Sequence, residues 1–380
     1  MKILSFAIQF PNAVEPGSGI NIKNLMLAMN KTANIKRTVI APVPHCPRLR
    51  KITDRYQAYE RLDESYMVDD IEIHHPRYVD YPYEFLNNEI KSIIKSIDEN
   101  DLACQSSSFD LIEAQSLYPD ALIAHHYAEK YNKPLLLTAR GDDVHFWMDI
   151  KKHRDKIFSA IDYASKLICI SGCLKDELTH HGISDNKLSI IPNGLDQDTF
   201  NLNVEANPLR EKYYLSVGEL SISKGQHVIL DAFASLLKKR LIIVGDGEQR
   251  RALKQRAKDL GIAGRVQFIK YLDQSKLAEF YKGATATIHM SDMESMPSVI
   301  NEALACGSPI ITTNVGDIAD IINDENGFLL DAQDDYLLVR AVEKLKHKDY
   351  DQNTIAKSSM TNNWQDTAQS NINIINEILS

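Results

Sequence analysis

Short apolar runs alternate with amphipathic segments along this chain, and the alternation starts twice. That feature narrows the fold more than any single residue does. Apolar runs of about 4–8 residues, bounded by glycine or proline, read as strands buried on both faces. The longer segments between them, apolar at every third or fourth position, read as helices. Strands and helices repeated in this order build parallel sheets covered by helices.

In the first half, residues 2–10, 37–41, 111–114, 134–138 and 166–170 read as strands. Residues 21–29, 121–131 and 174–181 read as helices, and 42–66 as a charged loop. The pattern resets near Leu188, where Ile191-Pro192-Asn193-Gly194 closes a strand with a turn. A polar linker over 200–212 follows. Strands are then expected at 214–217, 241–244, 265–269, 285–289 and 309–313. Helices are expected at 226–238, 248–260, 274–282 and 298–306. A last amphipathic helix, 364–379, carries Ile372, Ile374, Ile375, Ile378 and Leu379. At 380 residues the chain exceeds what one core usually supports. Two domains are expected, 1–200 and 201–363.

The formal net charge of -9 removes general nucleic-acid binding. Cys46, Cys104, Cys169, Cys173 and Cys306 are scattered and odd in number, which suits a reducing compartment rather than a disulfide framework. Cys169 and Cys173 supply too few ligands for structural zinc. No apolar run reaches the ~20 residues of a membrane span, and the opening run reads as a first strand rather than a signal peptide. The expectation is a cytoplasmic enzyme whose contact with a membrane, if any, is peripheral.

Several local patterns carry chemistry. Glu294 and Glu302 flank a loop-to-helix junction in which Pro297 marks the helix entry. Ser298 and Val299 open that helix, whose N–H groups can meet a phosphate. The alternative is a solvated Glu294 and a Glu302 that only favours the helix start. Gly218 ends a strand and Lys224 follows it, well placed for a phosphate or else merely a surface lysine at a helix entry. Pro16-Gly17-Ser18-Gly19 and Val244-Gly245-Asp246-Gly247 permit close backbone approach to a ligand, although plain turns use glycine too. Asp196-Gln197-Asp198 has the spacing of a metal-binding pair but follows a turn. His74-His75, His125-His126 and His180-His181 read as surface or packing residues.

Taken in order, these segments resemble the GT-B fold retaining glycosyltransferases of glycosyltransferase family 4 (glycosyl transferases group 1). The resemblance rests on Pro16–Gly19, Ala139-Arg140-Gly141-Asp142-Asp143, Ile191–Asp196 with Phe200, Gly218–Gly225, Val244–Gly247 and Glu294–Pro309. It implies an α/β fold of two Rossmann-like parallel-sheet domains facing across a cleft, with the last helix packed back on the first domain. It implies transfer of a sugar from a nucleoside diphosphate sugar to a glycan or lipid-linked acceptor, with no bound metal or other cofactor. Glu294 is implied to contact the donor sugar, Glu302 the ribose and Lys224 the diphosphate. Ser298 and Val299 would give backbone donors, Gly17 and Gly19 would meet the diphosphate, and Leu272 would lie near the nucleobase. Arg140 and Asp143 would stand near the reacting sugar. One departure is Glu219, where the family usually has arginine. A carboxylate facing a diphosphate is repulsive, so Glu219 is expected to point elsewhere, and either Arg140 or another basic group compensates or donor binding is weakened. Arg48, Arg50, Lys51, Arg55 and Arg61 form a cationic segment expected to meet an anionic or membrane-held acceptor, or else to be a solvated loop. A sugar-nucleotide epimerase of the same fold, and a binding subunit without turnover, are the rival readings.

Overall fold

The computed structural model describes the chain apart from residues 47–53, 81–88, 101, 103–107, 208, 210 and 360–361, and apart from the side chains of residues 54 and 55. The chain forms two compact units, Met1–Gly194 with Trp364–Ser380, and Leu195–Asn363.

The first unit holds β1 (Lys2–Phe6), β2 (Lys36–Ile40), β3 (Val43–His45), β4 (Ser65–Val68), β5 (Ile71–His74), β6 (Arg77–Val79), β7 (Leu111–Ala114), β8 (Leu135–Ala139), β9 (Lys166–Cys169) and β10 (Leu188–Ile190). Its main sheet runs β10-β9-β8-β7-β1-β2-β5-β4. The pairs are parallel except β4 against β5. β7 and β8 are buried throughout, which explains their unbroken apolar sequence. From β1 the chain moves to β2 on one side, while β7 lies on the other. The strand order therefore reverses at β1/β7, and in sheets of this kind ligands bind at the carboxyl ends of the strands at such a point.

The second unit holds β11 (Tyr213–Val217), β12 (Arg240–Val244), β13 (Val266–Ile269), β14 (Ala286–His289), β15 (Ile310–Thr313) and β16 (Gly327–Leu330). They run β13-β12-β11-β14-β15-β16, all parallel, and the order reverses at β11/β14.

The helix Trp364–Leu379 belongs to the first unit. Trp364, Ala368, Ile372 and Ile375 share a core with Leu25 and Met29 of the helix Ile20–Thr32, and with Ile3 and Leu111 of the sheet. That spacing places them on one helical stripe.

Two expectations are corrected. The first unit ends at Gly194, before residue 200, because Leu195 and Phe200 are buried in the second unit's core with Tyr281 and Ile300. The segment 42–66 is not simply a loop. It contains β3 and a helix, Asp54–Glu60, and Val43, Tyr59 and Leu62 make a small apolar cluster of their own.

Candidate functional site

The second unit's reversal point holds a compact charged cluster. Lys224 follows β11 and Glu294 follows β14, the two strands between which the order reverses. Lys224 Nζ lies 2.6 Å from Glu294 Oε1. His289, the last residue of β14, places Nε2 2.9 Å from the same oxygen. Both ion-pair partners keep some exposure, 19% for Lys224 and 12% for Glu294. Burial pushes the Glu294 carboxyl toward its neutral form. The hydrogen bond and charge of His289, with the Lys224 charge, outweigh this and hold it at about 2. Glu294 is thus a permanent acceptor at neutral pH.

The two loops that carry this pair are bolted together. Asp292 N donates to Ser223 O at 2.9 Å, and the Gln333 amide donates to Met290 O at 2.6 Å and to Ser223 O at 3.2 Å. Gly225 starts the helix Gln226–Ser235 at φ 69, and a Cβ there would sit 2.0 Å from Met290 O. Gly316, at φ 55, backs the other loop: its Cβ would sit 2.1 Å from Glu294 O. Lys224 and Glu294 are therefore held on backbone that leaves room only for glycine beside it.

The remaining expected residues of this unit have surroundings of their own. Ser298 and Val299 open the helix Ser298–Ala305 directly after Pro297. Glu302 lies farther along the same helix and takes a different partner. It is buried, and Tyr281 Oη donates to its Oε2 at 3.2 Å. Burial, with the nearby Asp196 charge, raises Glu302 to about 7 despite that hydrogen bond. Gly218 and Gly245 meet each other: a Cβ on Gly245 would lie 1.9 Å from Gly218 O, so packing of β11 against β12 already demands that glycine. Leu272, beyond β13, packs at the edge of the core. Glu219 is exposed, and its backbone carbonyl accepts a 2.9 Å hydrogen bond from the Gln226 amide.

The first unit's reversal point is polar too. Asp120 starts the helix Asp120–Tyr131 after β7. It accepts from Ile8 N beyond β1 and from Ser116 Oγ, each at 3.0 Å. Its burial raises the carboxyl to about 7. Arg140, just past β8, sends Nε to Gln115 O at 2.8 Å, Nη2 to Gln115 Oε1 at 2.5 Å and Nη1 to Asn193 Oδ1 at 3.3 Å. Burial draws its pKa down to about 10. Asp143, expected beside the reacting sugar, is engaged by the backbone around it. Its buried carboxylate accepts from Leu117 N (2.7 Å), Gly141 N (2.8 Å) and Arg140 N (3.0 Å), which fixes the turn that presents Arg140. Gly19 caps the helix Ile20–Thr32 at φ 66, and a Cβ there would strike Gln9 O. Gly17 is exposed in the loop before it.

Asp196 is engaged in its own turn, accepting from Asp198 N, Thr199 N and Thr199 Oγ1. Among the described residues, no group of three or more His, Cys, Asp or Glu stands placed to hold a metal ion, and no helix is long and apolar enough to cross a membrane. Arg48, Arg50 and Lys51 lie outside the described residues, as does the Arg55 side chain; Arg61 is exposed. Sequence reasoning missed His289, Gln333, Asp120 and Gln115. The ends of strands were the only signal, since each of the last three follows one closely or at short range and His289 closes one.

Comparison with known proteins fits this geometry. The family Glycosyltransferase Family 4 matches residues 34–199, and Glycosyl transferases group 1 matches residues 197–363. The chain belongs to the group 1 glycosyltransferases of family 4. A Bacillus subtilis (strain 168) protein named as a teichuronic acid biosynthesis glycosyltransferase is 26% identical over 365 residues, covering 92% of this chain and 90% of its own length. Sucrose-phosphate synthase from Thermosynechococcus elongatus has the same fold, with TM-score 0.77 at 18% identity over 100% of this chain and 99% of its own. Anabaena HepE, solved in complex with UDP and glucose, gives TM-score 0.74 at 18% identity over 99% of this chain and 100% of its own. The fold of this glycosyltransferase is GT-B.

Proposed function

We propose that this glycosyltransferase moves a sugar from a nucleoside diphosphate sugar to a hydroxyl of a cell-surface glycan or lipid-linked glycan, with retention at the anomeric carbon and without a metal ion. The observation that carries the reading is the Lys224–Glu294 pair at the β11/β14 reversal point. A cation and a permanently ionised carboxylate on rigid loops match the two halves of such a donor. Lys224 meets the diphosphate, and Glu294 accepts hydrogen bonds from the sugar hydroxyls. The UDP complex of HepE and the teichuronic acid name of the Bacillus protein support donor and acceptor class.

In this reading the bond from the anomeric carbon to the diphosphate oxygen breaks with its electron pair on oxygen. Lys224 and the N–H groups at Ser298 and Val299 stabilise the charge that develops there. The acceptor oxygen bonds to the anomeric carbon on the same face and gives its proton to the departing diphosphate. Glu302 holds the ribose, and Arg140 holds oxygens of the reacting sugars. Positive charge for the leaving group comes from the chain itself, so turnover survives EDTA.

The test is a thermal-shift and turnover panel of nucleoside diphosphate sugars, with the anomeric configuration of the product read by NMR. Binding with transfer and retention is expected. Inversion, or turnover restored after EDTA only by Mg²⁺ or Mn²⁺, would refute the mechanism. Conversion of the donor sugar without any acceptor product would mark an epimerase.

A further inference from the structure

Three adjacent strands of the first unit bury a charged network that the proposed chemistry does not use directly. Arg37 on β2 and Glu113 on β7 form an ion pair across β1, with side chains 0% and 4% exposed. Glu113 Oε1 also accepts from Ser5 Oγ on β1 at 2.7 Å, where Ser5 and Glu113 are paired in register. Arg37 Nη1 donates to Ser5 Oγ at 2.8 Å, while its buried Nε finds no hydrogen-bond partner among the described residues. An ion pair this deep, with a donor left unsatisfied, gains little stability over an apolar pair of the same volume. Its reason is to be sought in what it holds.

It holds Gln115. The Gln115 Nε2 donates to Glu113 Oε1 at 3.2 Å, and the Gln115 Oε1 accepts from Arg140 Nη2 at 2.5 Å. An amide has one donor end and one acceptor end. Flipped, it would set oxygen against the Glu113 carboxylate and NH₂ against the Arg140 guanidinium, losing both contacts. Glu113 therefore fixes which end of Gln115 faces Arg140. With Nε and Nη2 both engaged by Gln115, the guanidinium plane of Arg140 is locked at the carboxyl edge of the sheet.

We propose that Glu113 and Gln115 are positioning residues for Arg140: Glu113, balanced by Arg37, orients the Gln115 amide, and Gln115 aims the guanidinium. This rests on the role given to Arg140 above. Gln115→Leu cuts the relay while keeping the Arg37–Glu113 pair. Glu113→Gln removes the charge that orients the amide. Turnover would be followed as nucleoside diphosphate release from UDP-glucose, GDP-mannose and UDP-N-acetylglucosamine, with a melting curve for every variant. Gln115→Leu is expected to lower kcat about 10- to 100-fold through misplacement, with donor KM nearly unchanged. It should add nothing once Arg140→Ala is present. Losses that multiply in the double variant would overturn the relay, as would full activity of Gln115→Leu beside a crippled Arg140→Ala. A second readout is independent of the donor. Rotation of the Arg140 guanidinium about Cζ–Nε, followed by NMR of ¹⁵N-arginine protein, is expected to be hindered in the wild type. It should speed up in Gln115→Leu and in Glu113→Gln. Unchanged rotation in a folded Gln115→Leu protein refutes the proposal. Absence of wild-type turnover on all three donors would instead count against the proposed reaction, on which the role of Arg140 rests, and the rotation measurement would still decide the relay.

Discussion

Glu294 and Glu302 carry the same side chain, and their surroundings drive them in opposite directions. Lys224 and His289 hold the first ionised, while burial beside the Tyr281 hydroxyl holds the second near neutrality. Lys224 pairs with Glu294, and under the proposed function it would also meet the diphosphate of the donor. Lys224→Ala should lose a charge-assisted contact worth about 1.5–3 kcal/mol, read by titration calorimetry as a donor or nucleoside diphosphate affinity lower by at least tenfold. Glu219→Ala should leave that affinity unchanged or slightly tighter, because it removes from an exposed position a charge of the same sign as the diphosphate. The opposite pattern, with Glu219→Ala abolishing binding and Lys224→Ala harmless, would remove Lys224 from the donor site. At this scale the sequence displays the types and order of the Glu294 segment, yet His289 is hidden. A histidine at the end of a buried strand looks like any core histidine until β14 places it beside Glu294.

The loops after β11 and β14 work as one element, and Gly225 and Gly316 shape it, whereas Gly182 of the first unit serves as the control. Gly316 and Gly182 both have positive φ, 55 and 88, but only Gly316 has backbone where a Cβ would go. Gly182→Ala should therefore cost only the conformational strain, about 1 kcal/mol. Gly316→Ala must also move Glu294 O, so it should cost about 2–4 kcal/mol and weaken donor binding. Urea denaturation and donor titration of both variants check this, and equal losses would show that the contact with Glu294 is not limiting. The strongly periodic elements were readable: β7 and the buried strands of the second sheet lie within a residue or so of their apolar runs. The segment 42–66 was not. Its few apolar residues, Val43, Tyr59 and Leu62, are spread across a charged stretch and meet only in the fold. The glycines of Val244–Gly247 suit either close approach to a ligand or a plain turn. The structure adds a simpler demand, close packing of Gly245 on Gly218 and of Gly247 on Leu220.

For the whole molecule, the displaced carboxyls set how stability responds to pH, and their signs differ. Glu294, lowered from 4.5 to about 2, ionises more readily in the native state. Its contribution is present above pH ~4.5 and is lost as pH falls toward 2. Glu302, raised from 4.5 to about 7, and Asp120, raised from 3.8 to about 7, behave the other way. Between those limits the unfolded chain has released its protons while the native state still holds them. Stability from these two groups therefore falls as pH rises from ~4 to ~7 and is level above that. Glu302→Gln isolates one of them, since a glutamine carbonyl can still accept the Tyr281 hydroxyl. The variant should be more stable than wild type at pH 8, by an amount on the order of 1–3 kcal/mol, and the gap should close at pH 4. If glutamine destabilises the protein equally at both pH values, Glu302 is not held neutral by burial. A loss of nucleoside diphosphate affinity that accompanies the added stability is the signature of a residue kept for binding at a cost to the fold.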